Sequence, residues 1–162
     1  MLFRSRKVQR NPRGAKAVGG TRRGGPHRHV RRAALSKKTF EAAAAANAHL
    51  IVQLKDNQPS LRQTVEAACA TAMPLGGVRT VDGRKRNRHE TRTVAVFDAK
   101  PAVAGTQWEP YVAVVVQVER TVHAFQPATG LWKTSAETSL YLSNRPIAAI
   151  QAADAIRSHW CI

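Results

Sequence analysis

Lys55, Asn57 and Gln58 stand together at the end of a compact apolar run, His49-Leu50-Ile51-Val52-Gln53-Leu54. One ammonium and two carboxamides at a strand end suit contact with phosphate oxygens or base edges of a nucleic acid. The same three residues also suit a plain turn leading into Pro59, and the sequence leaves both readings open. Asp98, in Val96-Phe97-Asp98-Ala99, has the look of a metal-ligating carboxylate at a strand end, but a turn-forming role is the stronger reading. The basic run Arg84-Lys85-Arg86-Asn87-Arg88 is either a patch for a phosphate backbone or a solvated loop. His27 and His29 lack the partners that a metal site needs, and no carboxylates cluster along the chain. Cys69 and Cys161 are too few and too far apart for a zinc site or a disulfide framework, and they suit a reducing compartment.

The elements that must hold these residues can be read from periodicity. Lys37 to Ala48 reads as a helix, with Phe40 and the run Ala42 to Ala46 supplying propensity. A strand follows over His49 to Leu54. Pro59 then opens a second helix carrying Leu61, Val65, Ala68 and Cys69 on one side, ended by Pro74 and Gly76-Gly77. Helix, strand and helix with short joints favour an α/β layer. Further on, Thr91 to Phe97 alternates like a half-buried strand, Tyr111 to Arg120 puts Val112, Val114, Val116 and Val118 on one face, and Glu137 to Ser143 makes a third strand. These three antiparallel strands form a β-rich insertion at about residues 88–143. From Ile147 onward, Ile147, Ile150, Ala153, Ile156 and Trp160 repeat at helical spacing, with Gln151, Asp154, Arg157 and Ser158 largely off that face. This helix shows no stop signal before Ile162.

Charge is placed unevenly. The 162 residues carry a formal charge of +16, and 43% of them are apolar, enough for one ordinary domain with a core. Half of the 26 basic residues precede residue 41, whereas the ten acidic residues begin at Glu41. Residues 1–36 therefore read as a basic, disordered tail of separate origin, suited to polyanions through phosphate contacts and counterion release. Gly14, Gly19, Gly20, Gly24 and Gly25 argue against a stable helix there. An acid-free, arginine-rich start also resembles an organelle transit peptide, but weak amphipathicity and few serines favour a cytoplasmic protein. No apolar run approaches the ~18 residues of a membrane span, so no membrane partner is expected.

Four segments, in order, carry a family resemblance. Leu54-Lys55-Asp56-Asn57-Gln58-Pro59-Ser60-Leu61 resembles a Lys-Gly-Asn-Gln-Pro-x-Leu element at the end of a core strand. Arg88-His89-Glu90-Thr91-Arg92 is similar to an Arg-x-Glu-x-Arg motif that opens an inserted sheet. Val118-Glu119-Arg120, Gly130 to Thr134 and Glu137 to Ser143 form the third segment, and Ile156 to Ile162 the fourth. Over Lys37 to Ile162 the chain thus resembles the DDE-type transposases of the ISAs-one group of bacterial insertion sequences. That resemblance implies an RNase H-like α/β catalytic domain, present here as an incomplete rear part.

The resemblance also implies a chemistry, DNA cutting and joining by in-line attack with two Mg²⁺ ions held by three carboxylates. None of the three can be assigned. The first would lie on a strand ahead of the aligned segments, the second falls about where Arg31-Arg32-Ala33-Ala34 stand, and the third would follow Ile162. No catalytic or metal-binding residue and no resident cofactor is therefore expected, and the protein reads as a catalytically inactive, truncated transposase whose partner is DNA. Lys55, Asn57, Gln58, Arg157 and His159 are the expected DNA-contacting residues. The resemblance puts Asp56 where the family has Gly, which implies a turn disturbed at a position preferring positive φ. A rival reading is a small basic nucleic-acid-binding protein with a self-contained fold.

Overall fold

The computed structural model describes residues 35–85 and 87–160. The expected tail falls outside them up to Ala34, as do Arg86, Cys161 and Ile162, and nothing is described of the His159 and Trp160 side chains. The folded body already includes Leu35, buried in the core, and Ser36. Ser36 sits in extended backbone and its hydroxyl accepts from the Thr39 amide, capping α1 (Lys37–Ala45). The alanine run does not carry this helix to Ala48. Asn47 turns left-handed (φ 52°) and the Ala48 amide reaches back to the Ala43 carbonyl at 2.8 Å, which closes the helix as a Schellman turn.

β1 (Ile51–Leu54) follows, then α2 (Pro59–Thr71), where proline begins the helix and Leu61 and Val65 are buried with Ala68 and Cys69 packed beside them, as the periodicity requires. β2 (Gly76–Lys85) and β3 (Arg88–Asp98) are joined through Asn87, the second residue with positive φ. A one-turn helix, α3 (Lys100–Val103), leads by way of Trp108 to β4 (Val114–Gln126). Residues 127–130 turn the chain, with Gly130 at φ 68°, into β5 (Leu131–Ser143), and α4 (Ala149–Trp160) closes the order.

The five strands make one antiparallel sheet in the order β1-β5-β4-β3-β2. β1 pairs with the end of β5, from Ile51 opposite Ser143 to Leu54 opposite Leu140. It therefore belongs to the same sheet as the strands expected to form an insertion at 88–143. Because side chains alternate across a strand, each strand divides its residues between two faces. Val52, Leu54, Phe97, Val115, Leu140 and Leu142 pack under α1, α2 and α3, where Phe40 meets Trp108 edge to face at 6.0 Å. Ile51, Val94, Val96, Val116, Val118 and Tyr141 point the other way and are covered by Ile147 and α4, which lies over β2 and β3. Helices thus cover both faces of the sheet.

At the joint between the layers, the Asn144 side chain accepts from the Leu50 amide at 2.8 Å and donates to the Ala48 carbonyl at 3.0 Å. The connection into β1 is thereby tied to the connection into α4.

Three sequence expectations change. Val112 precedes β4 and packs under α1 to α3, in the opposite cluster from Val114, Val116 and Val118. α4 starts at Ala149, so Ile147 is buried ahead of the helix and does not fix its phase. The buried positions are Ala149, Ala152 and Ile156, leaving Ile150 60% exposed. Finally, β2 had been read as a helix stop followed by a loop.

The phase of α4 gives a direct expectation. Ile156→Ala should destabilise the fold by about 2–4 kcal/mol, and Ile150→Ala should stay within about 0.5 kcal/mol of the parent. Urea melts of the two variants check this, and the reverse ranking would restore the helix face read from Ile147.

Candidate functional site

The Arg-x-Glu-x-Arg motif lies on β3, where two-residue spacing puts Arg88, Glu90 and Arg92 on one face, the face that carries Val94 and Val96 under α4. Pairing then places Arg92 opposite Arg120 of β4, and Arg120 opposite Glu137 of β5. Two arginines directly across a ladder repel one another. Glu90, one step along the same face, resolves the conflict by accepting from both.

The Glu90 carboxylate is only 8% exposed and is saturated with donors. Arg120 grips it side-on, Nε to Oε1 at 2.8 Å and an Nη to Oε2 at 3.1 Å. Arg92 Nε donates to Oε1 at 2.6 Å and Arg88 to Oε2 at 2.8 Å. These charge-assisted bonds favour the ionised carboxylate. The Arg120 hydrogen bond, assisted by Arg92 and opposed by burial, holds Glu90 down at about 2 from an ordinary 4.5. In return the Glu90 hydrogen bond raises the pKa of Arg120. Glu137 lies 3.6 Å from the other arm of Arg120.

Beside this network runs a cleft of about 170 Å³ between α4 and the sheet. Val94, Val118, Tyr141 and Ile156 give it an apolar lining, and Arg92, Arg120, Glu137 and Asp154 supply charge. At one end Arg157 reaches from α4 to Asp82 of β2, Nη to Oδ1 2.6 Å. The four arginines 88, 92, 120 and 157 are matched by the four acids 82, 90, 137 and 154 within this region. The cleft is therefore charge-balanced, and its ion pairs fasten β2, β3, β4 and α4 together.

The expected DNA-contacting residues are not gathered in one place. Arg157 lines the cleft, but its guanidinium is engaged by Asp82. His159 belongs to α4. Lys55 and Asn57 are exposed and Gln58 half-buried in the turn after β1, where the Gln58 amide donates to the Lys55 carbonyl at 3.3 Å and its side chain makes no cap. β1 and β2 are the two opposite edges of the sheet. Four strand spacings, roughly 19 Å, thus separate the Lys55 turn from the strand that holds Arg157.

Asp56 is exposed, pairs with Arg62, and is not among the residues with positive φ, so the disturbed turn expected of it does not occur. Asp98 accepts from the Lys100 amide at 3.0 Å and forms the turn before α3, in line with the stronger of its two readings. Sequence reasoning passed over Glu90, Arg120, Glu137 and Asp82 as a unit. The spacing of Arg88, Glu90 and Arg92 was the available signal, since alternate positions of a strand share a face.

One other pair has the outline of catalytic groups. His49 Nε2 lies 2.8 Å from Ser143 Oγ, but that hydroxyl donates to the Arg145 carbonyl at 2.7 Å and Ser143 is fully buried. With the hydroxyl proton spent, Nε2 must be the donor, the reverse of what activation of a serine requires. Among the described residues no group of three His, Cys, Asp or Glu is placed to hold a metal ion. No described helix is long and apolar enough to cross a membrane. Comparison of the chain with protein-family models, curated proteins and solved structures finds no match.

The low pKa of Glu90 sets a pH window. A carboxylate depressed in the folded state adds stability that is fully present above its unfolded pKa and is lost as pH falls through the folded value. Glu90→Gln should cost about 1–3 kcal/mol at pH 7, reduced from the deeply buried case because the arginines are partly exposed. The difference from the parent should shrink between pH 4.5 and about 2. Chemical melts at pH 7 and pH 3 provide the check, and a pH-independent difference would mean that the charge on Glu90 does not matter.

Proposed function

We propose that this chain is a fragment of a DDE-type transposase of the ISAs-one insertion-sequence group, with an RNase H-like ancestry, and that it binds DNA without cutting it. The observation that carries the reading is the meeting of resembling segments far apart in sequence. Arg92 of the second, Arg120 and Glu137 to Tyr141 of the third, and Ile156 and Arg157 of the fourth line one cleft. Segments that had come together by chance would have no reason to share a site. Helices on both faces of the antiparallel sheet add support for the proposed ancestry.

Binding without cutting rests on how the acids are used. Asp56 is paired with Arg62, Asp82 with Arg157, and Glu90 with three arginines, while Asp98 holds a turn. Two-metal chemistry needs carboxylates free to converge on the ions. Mg²⁺ is accordingly proposed as the ion of the intact family, with no site for it assigned to these residues.

A second reading, a small basic nucleic-acid-binding protein, is favoured by the two apolar clusters that give this sheet a core on both faces. Both readings predict DNA binding. Purified protein with a transposon-end duplex and Mg²⁺ or Mn²⁺ should retard the DNA and leave it uncut. Metal-dependent nicking abolished by Asp98→Ala would overturn the inactive-fragment reading. A sharp cooperative melt of the monomer would favour the small basic protein.

A further inference from the structure

The cleft between α4 and the sheet is lined by more hydrogen-bonding capacity than its own ion pairs use. Arg92 gives its Nε and one Nη to Glu90, and Arg120 does the same. The second Nη of Arg92 makes no hydrogen bond among the described residues, and that of Arg120 has Glu137 at 3.6 Å, beyond hydrogen-bond reach. Glu90 thus fixes both guanidinium groups and leaves one arm of each unused. Because these side chains are already ordered, an anion meeting the two arms would not have to immobilise them first.

The opposite wall carries the complementary charge. Asp154 lines the cleft from α4, is exposed, and makes no ion pair among the described residues. The floor is apolar. Val94 and Val118 stand two residues along β3 and β4 from Arg92 and Arg120, which puts hydrocarbon roughly 7 Å from the charged row. Ile156 and Ala153 close over it from α4. A volume of about 170 Å³ is below the roughly 300–1,000 Å³ of clefts for drug-sized molecules, so the occupant must be smaller than those.

We propose that the cleft binds a small apolar zwitterion, of the kind represented by an apolar α-amino acid. Its carboxylate meets the unused arms of Arg92 and Arg120, its ammonium group meets Asp154, and its hydrocarbon body lies on Val94, Val118 and Ile156. The charge pattern selects this class. A plain anion would sit beside an unpaired Asp154, a plain cation would face two arginines, and a wholly polar zwitterion would leave the apolar floor uncovered. The inference goes beyond the nucleic-acid reading and does not rest on it, since the acids and arginines of this region balance and offer a polyanion no net attraction.

The experiment titrates the full chain with L-leucine, glycine, N-acetyl-L-leucine and L-leucinamide, following backbone amide shifts by NMR. L-leucine should bind with a Kd at or below about 1 mM. Glycine, which lacks the hydrocarbon body, should bind ~10-fold more weakly or worse. N-acetyl-L-leucine and L-leucinamide, each lacking one charge, should also lose ~10-fold or more. Asp154→Asn should weaken L-leucine by a similar factor and leave N-acetyl-L-leucine within about twofold of the parent, a split that a general loosening of α4 would not produce. Ala153→Leu, which fills the cleft, should weaken all four, and Met73→Ala, at an exposed residue outside the lining, should change none. If Ala153→Leu misfolds, the Asp154→Asn comparison still decides. No saturable shift with L-leucine up to about 20 mM overturns the proposal. Equal or tighter binding of N-acetyl-L-leucine overturns it too, by making the cleft an anion site, as does a preference for L-leucine that survives Asp154→Asn.

Discussion

One carboxylate allows the sheet to carry its arginines. Arg92 and Arg120 face each other across β3 and β4, and without Glu90 between them the pairing register would bring two guanidinium groups together on a half-buried surface. With Glu90 in place the register gains four charge-assisted hydrogen bonds, and the same face can continue as Val94, Val96 and Val118 under α4. The Arg157 to Asp82 pair then fastens α4 to the outer strand.

This arrangement has an electrostatic consequence. The acids of the folded body are mostly engaged within it, by Arg62, Arg157, the Glu90 network or turn amides. The eleven basic residues of the first 34 positions, and Lys133 within residues 121–136, have no acidic residue in those stretches of the sequence. Such an imbalance supports the proposed polyanion partner independently of any family likeness.

What could be read in the sequence was burial, and what could not was pairing. The apolar face of α2 was legible because Leu61 and Val65 are buried at helical spacing. The inner halves of β3, β4 and β5 were legible because they alternate between two covered faces. Residues 121–136 were missed as strands because most of them lie outside the helical layers. Their pairing is set by backbone hydrogen bonds, which leave little mark on hydrophobic pattern. β2 was missed for a related reason: as an edge strand starting Gly76-Gly77 it presents only Val78, Thr80 and Val81 as strand formers, and its two valines fall on opposite faces. At the site, the charged residues were visible, but Arg120 and Glu137 meet Glu90 only through a register that the sequence does not display. Lys55 and Arg157 were both expected to contact DNA, and strand order sets the strands beside them at opposite edges.

The nucleic-acid binding proposed above rests most on the unbalanced positive charge. Duplex affinity measured across a salt series tests it most directly. Engagement of roughly 6–10 phosphates predicts a log–log slope of about −5 to −9. A slope near zero, or no binding at 50 mM salt, would contradict the account.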